Sequence, residues 1–87
     1  MQKNWKLYIL LCADGSLYTG ITTDVAARFA QHSAGAGAKY TRGRGPLKLV
    51  YVEDCESKSQ ALKRECQIKT MSRTQKLELI HKEKENT

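Results

Sequence analysis

The tightest constraint on this chain is a hairpin near its start. Leu7-Tyr8-Ile9-Leu10-Leu11-Cys12 is apolar at every position, the pattern of a central strand buried on both faces. Asp14-Gly15 supplies a turn, and Ser16 to Thr22 reads as the returning strand. Loop length decides which side chains meet, because a slip of one residue sends every side chain to the other face. A three-residue loop, Ala13-Asp14-Gly15 with Gly15 left-handed, pairs Cys12 with Ser16 and Tyr8 with Gly20. Tyr8, Leu10, Cys12, Tyr18 and Gly20 then share one face, while Leu7, Ile9, Leu11, Leu17 and Ile21 share an aliphatic one. A two-residue Asp14-Gly15 loop would part the two tyrosines. The first register segregates the side chains better, and it is the one predicted.

Beyond the hairpin, Thr22-Thr23-Asp24 predicts a helix start, with a hydroxyl cap followed by an acid in the first turn. That helix runs to about His32, with Val25 and Phe29 as its core stripe and Arg28 and His32 on the flank, at the margin of the core. Ser33 to Gly45 holds four of the six glycines together with Lys39, Tyr40, Arg42 and Arg44. It reads as a mobile basic loop closed by Pro46. It is no phosphate cradle, since Gly35-Ala36-Gly37 lacks a third glycine and no GK[ST] follows. Leu47 to Glu53 reads as a third strand. Ser57-x-x-Gln60 and Ser72-x-x-Gln75 are capping boxes that open two helices, one to about Met71 and one from Arg73 to about His81. The element order is ββαβαα, an α+β fold. With 87 residues the chain has room for one domain, with its core at about 5–80 and 81–87 as a frayed tail.

Charge points to a class of partner. The net charge is +6, and the excess is clustered. Arg28 to Lys48 holds five basic residues and no acidic one, and Ser57 to Leu77 holds six against Glu65 alone. Two such segments on a small domain suit a polyanion, most simply nucleic acid, as well as they suit a solvated surface. The longest apolar run, Leu7 to Ala13, is far short of the about twenty residues of a membrane span. With no secretory pattern at the start, the chain reads as cytoplasmic. Cys12, Cys55 and Cys66 form no C-x-x-C pair, which argues against both a disulfide framework and zinc.

One residue breaks the pattern. Ala61, Leu62 and Ile68 mark the apolar face of the penultimate helix, and Glu65 falls near the middle of that face. A carboxylate there costs several kcal/mol unless something compensates it. Two kinds of compensation fit: an ion pair with Lys69 or Arg28, or a role as metal ligand or acid–base group in a cleft.

The ordered set of Tyr8, Tyr18-Thr19-Gly20, Arg28, His32 and Glu65 around a D-G hairpin resembles the GIY-YIG nuclease superfamily. In that comparison Lys6-Leu7-Tyr8 stands for the first triplet and Tyr18-Thr19-Gly20 for the second. The nearest resemblance is to small stand-alone bacterial members, which share the Gly-Ala-Lys-Tyr-Thr-Arg-Gly loop and a final Ser-Arg-x-x-Lys helix. It implies a three-stranded antiparallel sheet with three helices. It also implies cleavage of DNA phosphodiesters with a single divalent ion, Mg²⁺ or Mn²⁺. Glu65 would bind the metal, Arg28 would contact the scissile phosphate, Tyr8 and Tyr18 would line the site, and His32 falls where the family carries Tyr or His. Chemically, a hard ion can manage with one carboxylate if water and phosphate oxygens complete its shell. A tyrosine can serve as base near neutrality only if a cation lowers its pKa from about 10.

The chain departs from the family pattern in keeping only the tyrosine of the first triplet, and its only asparagine after Glu65 is Asn86. Without an appended DNA-binding domain, contacts fall to Lys39, Tyr40, Arg42, Arg44 and Lys69, with Lys63 and Lys76 as further cations. Such contacts read phosphate or shape, so the expected substrate is branched, nicked or single-stranded DNA rather than a sequence. The alternative is a non-cleaving DNA- or RNA-binding module on the same fold, and a third reading is a scaffold in which Glu65 only pairs with Lys69. Each residue also has an ordinary role: half-buried strand tyrosines, a snorkelling arginine, a histidine near a helix C-terminus.

Overall fold

A computed structural model of the chain describes residues 4–85. Strands β1 (Trp5–Leu11), β2 (Leu17–Thr22) and β3 (Lys48–Cys55) form one antiparallel sheet in the order β2-β1-β3. Helices α1 (Val25–Ser33), α2 (Lys58–Lys69) and α3 (Arg73–Glu85) complete the ββαβαα order expected from the sequence.

The hairpin takes the three-residue loop. Cys12 N–H donates to the Ser16 carbonyl and Gly15 N–H to the Cys12 carbonyl, both at 2.9 Å, and Gly15 sits at φ +85°. Asp14 locks the turn by accepting from Ser16 N–H at 3.0 Å and from Ser16 Oγ at 2.6 Å. Tyr8 therefore stands opposite Gly20, and Leu10 opposite Tyr18. On the other face Leu7 and Ile9 join Tyr51, Ile68 and Ile80 in the core, with Leu17, Ile21, Met71 and Leu79 packed around them. So α2 and α3 cover the aliphatic face. The tyrosine face is left to α1 and the loop after it.

Several local expectations need correcting. Asp24 itself caps α1, accepting from Ala27 N–H at 3.0 Å, while Thr22 Oγ1 accepts from Asp24 N–H at 3.2 Å. The acid lies one position before the first turn because its short carboxylate reaches the third helical N–H from there. Val25 and Phe29 are only half-buried, and the buried residue of α1 is His32. On α2, Ala61 and Ile68 are buried but Leu62 is 46% exposed. Ala61, Glu65 and Ile68 form an i, i+4, i+7 line facing the sheet, and Leu62 lies about 100° round from it. Helix α3 passes His81 and continues to Glu85, since Lys and Glu are good helix formers and no Gly or Pro intervenes. Both serine caps form as expected. Ser57 Oγ accepts from Gln60 N–H, and Ser72 and Gln75 exchange both bonds of a capping box at 3.2 and 2.9 Å.

The glycine-rich loop expected to be mobile is tied down instead. Its Lys39–Thr41 segment forms a 3-10 turn, and Thr41 is 2% exposed. Further on, the Arg44 carbonyl accepts from Ala13 N–H at 2.8 Å, and its guanidinium pairs with Asp14 at 2.5 Å. These contacts pin the loop to the hairpin tip, so it forms one wall of the site.

Candidate active site

Gly20 and Gly37 are where the backbone makes room. A Cβ on Gly20 would lie 2.6 Å from Tyr8 Oη, and one on Gly37 would lie 2.3 Å from His32 Nδ1. The glycine of the Tyr18-Thr19-Gly20 triplet thus seats the Tyr8 ring across the strand pair. Tyr8, Tyr18 and His32 cluster with ring centroids 5.2–6.3 Å apart. Tyr8 Oη lies 2.8 Å from His32 Nε2, and His32 Nδ1 lies 2.8 Å from Thr41 Oγ1. Gly37 and Thr41 stand in the Gly-Ala-Lys-Tyr-Thr-Arg-Gly loop, but their contacts with His32 are not legible there, because they depend on the loop folding back over α1.

Tyr8 and His32 are both about 2% exposed or less, and burial sets their protonation. Burial lowers the His32 pKa, and the positive charge of Arg28 lowers it further. The ring is therefore neutral at pH 7 and satisfied in either tautomer. With the proton on Nδ1 it donates to Thr41, whose own hydroxyl donates to the Ala38 carbonyl, and Nε2 accepts from Tyr8. With the proton on Nε2 it donates to Tyr8 Oη, and Ala38 N–H donates to Nδ1 at 3.3 Å.

Burial also governs the Tyr8 hydroxyl. Its pKa is raised by burial, which outweighs the close approach of Arg28, and the charges of Tyr18 and Glu65 add to the rise. Arg28 alone therefore does not give Tyr8 the lowered pKa that a tyrosine base requires. The reason is that Tyr8 loses nearly all its solvent, while Arg28 stays half-buried and also donates to Gln31 Oε1 at 2.9 Å.

A stability prediction follows. His32 has a lower pKa folded than the about 6.5 of an unfolded histidine, so the unfolded chain binds the proton more readily. Stability is complete above that value and is lost as pH falls through the window below it. Asp14 acts elsewhere: Ser16 hydrogen bonds, aided by Arg44, hold its carboxyl at about 2, so its contribution is lost only below about pH 4. Urea midpoints measured from pH 8 to pH 4.5 should decline once pH passes below ~6.5. His32→Gln should flatten that limb, and a flat limb in the parent would contradict a neutral buried His32.

Glu65 is half-buried, with 20% of its side chain exposed, and its carboxylate lies 3.4 Å from Lys69 Nζ. Helix α2 packs across β1 and β2 and brings that charge within electrostatic reach of Tyr8. Among the described residues no three His, Cys, Asp or Glu side chains converge as a metal cage, and the cysteines are free. That chemistry still fits a single hard ion held by one carboxylate and completed by water and phosphate oxygens, with Lys69 as the competitor it must displace.

The residues expected to bind nucleic acid separate into two groups. Tyr40, 42% exposed, stacks on Tyr18 at 5.8 Å, and Arg44 lies 4.5 Å over its ring. An incoming base would have to compete with Arg44 for that ring. Lys39 and Arg42 are exposed on the same loop, whereas Arg44 and Lys69 are already paired with Asp14 and Glu65.

The family profile described as the GIY-YIG catalytic domain matches residues 4–78. The chain belongs to the GIY-YIG family. Similar proteins are a UPF0213 protein of Cupriavidus pinatubonensis, 57% identical over 77 residues, covering 88% of this chain and 86% of the relative, and one of Staphylococcus haemolyticus, 60% identical over 74 residues, covering 85% and 90%. A solution NMR structure of a UPF0213 protein from Bacillus halodurans matches with a TM-score of 0.59 at 50% identity, covering 90% of this chain and 83% of the other. Another, of a protein from E. faecalis, matches at 0.61 and 37% identity, covering 90% and 84%. The GIY-YIG domain is a nuclease-type fold, and among the described residues no helix is long and apolar enough to cross a membrane.

Proposed function

We propose that this GIY-YIG domain is a divalent-metal-dependent endonuclease acting on branched, nicked or single-stranded DNA. The observation that carries this reading is the convergence of Tyr8, His32 and Arg28 on one sheet face, with the Glu65 carboxylate in electrostatic reach. Glu65 would hold Mg²⁺ or Mn²⁺, which when bound polarises the scissile phosphoryl group. Arg28 faces the charge that builds on the phosphate oxygens in the transition state. With its raised pKa, Tyr8 is protonated at neutral pH, so it works as a relay: it takes the proton of the attacking water as it passes its own to His32 Nε2. His32 is equipped for this because burial keeps it neutral. The water oxygen bonds to phosphorus, the P–O bond to the leaving nucleotide breaks, and solvent protonates the alkoxide.

The Glu65–Lys69 contact favours the rival reading, a module that binds DNA or RNA without cutting. A cleavage assay on labelled duplex, nicked, splayed-arm and four-way DNA, with Mg²⁺, Mn²⁺ or EDTA, separates the two. The nuclease cuts at least one structured DNA only with metal, and Arg28→Ala slows it by about 10²–10³-fold. Binding at low salt without cutting on every substrate would sink the proposal and make RNA the next ligand.

A further inference from the structure

A cleft of about 230 Å³ opens beside the site, lined by Ser16, Leu17, Tyr40, Arg73 and Lys76. Tyr40 is shared: it walls this cleft and stacks on Tyr18, so the cleft borders the tyrosine cluster. The lining carries two positive charges and no negative one. Arg44 is already paired with Asp14 and Lys69 with Glu65, whereas among the described residues Arg73 and Lys76 enter no ion pair. Arg73 is also held in place. Its Nη1 donates to the Gly15 carbonyl at 2.5 Å, which uses one of five guanidinium N–H groups and leaves the rest for an acceptor. Lys76 follows three residues later on α3, on the same side of the helix and half-buried.

Size and charge narrow the occupant. Pockets that enclose a whole small molecule begin at about 300 Å³, so this cleft suits a strand lying across it rather than a free nucleotide swallowed whole. We propose that Arg73 and Lys76 seat a backbone phosphate of the substrate strand away from the scissile bond, forming a positioning subsite entered past Tyr40. This rests on the nuclease reading, which supplies the strand, and it assigns α3 a binding role beyond its place in the core.

The test is fluorescence anisotropy of a labelled single-stranded DNA oligonucleotide with the full chain in EDTA, over a range of salt. Loss of one phosphate contact lowers the slope of log Kd against log salt by about 0.7 and raises Kd roughly fivefold near ~0.1 M salt. Lys76→Ala should do both, because alanine preserves the helix. Lys58→Ala, a cation at the Trp5 end of the sheet, should do neither. Arg73→Ala should follow Lys76→Ala, but it also breaks the Gly15 bond, so Lys76 carries the test. Cleavage by Lys76→Ala should show a raised KM and an unchanged rate at saturating DNA. Parental Kd and slope in Lys76→Ala would overturn the subsite and leave the nuclease reading standing. A parent chain that binds no oligonucleotide also overturns the subsite, while the nuclease reading stands or falls on the cleavage assay with structured DNA.

Discussion

Glu65→Gln should cut metal-dependent cleavage by about 10³-fold or more, while DNA binding in EDTA stays within about a factor of two of the parent. The two numbers separate because one carboxylate would serve the metal and nothing else on the substrate. Glutamine keeps the shape of the side chain on the Ala61–Ile68 line but loses the charge that holds a hard cation. It also releases Lys69 from its 3.4 Å contact, which adds a free cation facing a polyanion. Binding therefore holds or tightens slightly. Stability should move little, since an i,i+4 pair with Lys69 more than half exposed contributes about 0.5 kcal/mol or less. These three readouts distinguish the three roles open to Glu65. A nuclease loses cutting and keeps binding, a binding module has no cutting to lose, and a scaffold changes only in stability.

The parts of the site that sequence reasoning reached are those fixed by local rules. The hairpin register followed from period-two sorting and an Asp-Gly loop, and it put Tyr8 and Tyr18 on one face opposite Gly20. Glu65 stood out because a charge on a buried helical line violates the pattern, and the structure keeps it half-buried beside Lys69. What escaped depends on contacts distant in the chain. His32 reads as a flank residue on α1, and only the turn at Thr41, nine residues on, closes over it and satisfies its ring. The loop after α1 looks mobile from its glycines, yet it is held by Ala13 and Asp14, some thirty residues earlier. The direction of the Tyr8 pKa was not legible for a related reason. Arg28 is recognisable in the sequence as a neighbouring cation, but the desolvation that outweighs it comes from the assembled wall of α1 and loop.

Gly20→Ala tests whether that wall is rigid. The added methyl would sit 2.6 Å from Tyr8 Oη and 2.7 Å from Cζ, about an ångström inside ordinary contact. A flexible side chain could swing aside cheaply, but Tyr8 has little freedom: its ring is 2% exposed and its hydroxyl bonds to His32 at 2.8 Å. Relief has to come from the β1–β2 pairing or from breaking the Tyr8–His32 bond. Overpacking of this kind costs about 1–3 kcal/mol, and breaking the bond leaves a buried hydroxyl and imidazole without each other at about 1–3 kcal/mol more. Urea unfolding should therefore show a loss of at least ~1 kcal/mol. Cleavage by the folded fraction should fall by at least ~10²-fold, since the proton relay and its near-contact geometry are disturbed together. Gly43→Ala provides the contrast. Nothing lies within 4 Å of its would-be Cβ, so the backbone strain of φ +76° is its only penalty and the relay is untouched. If Gly20→Ala matched the parent in both stability and rate, Tyr8 would be movable, and the glycine would owe its place to something other than the tyrosine it faces.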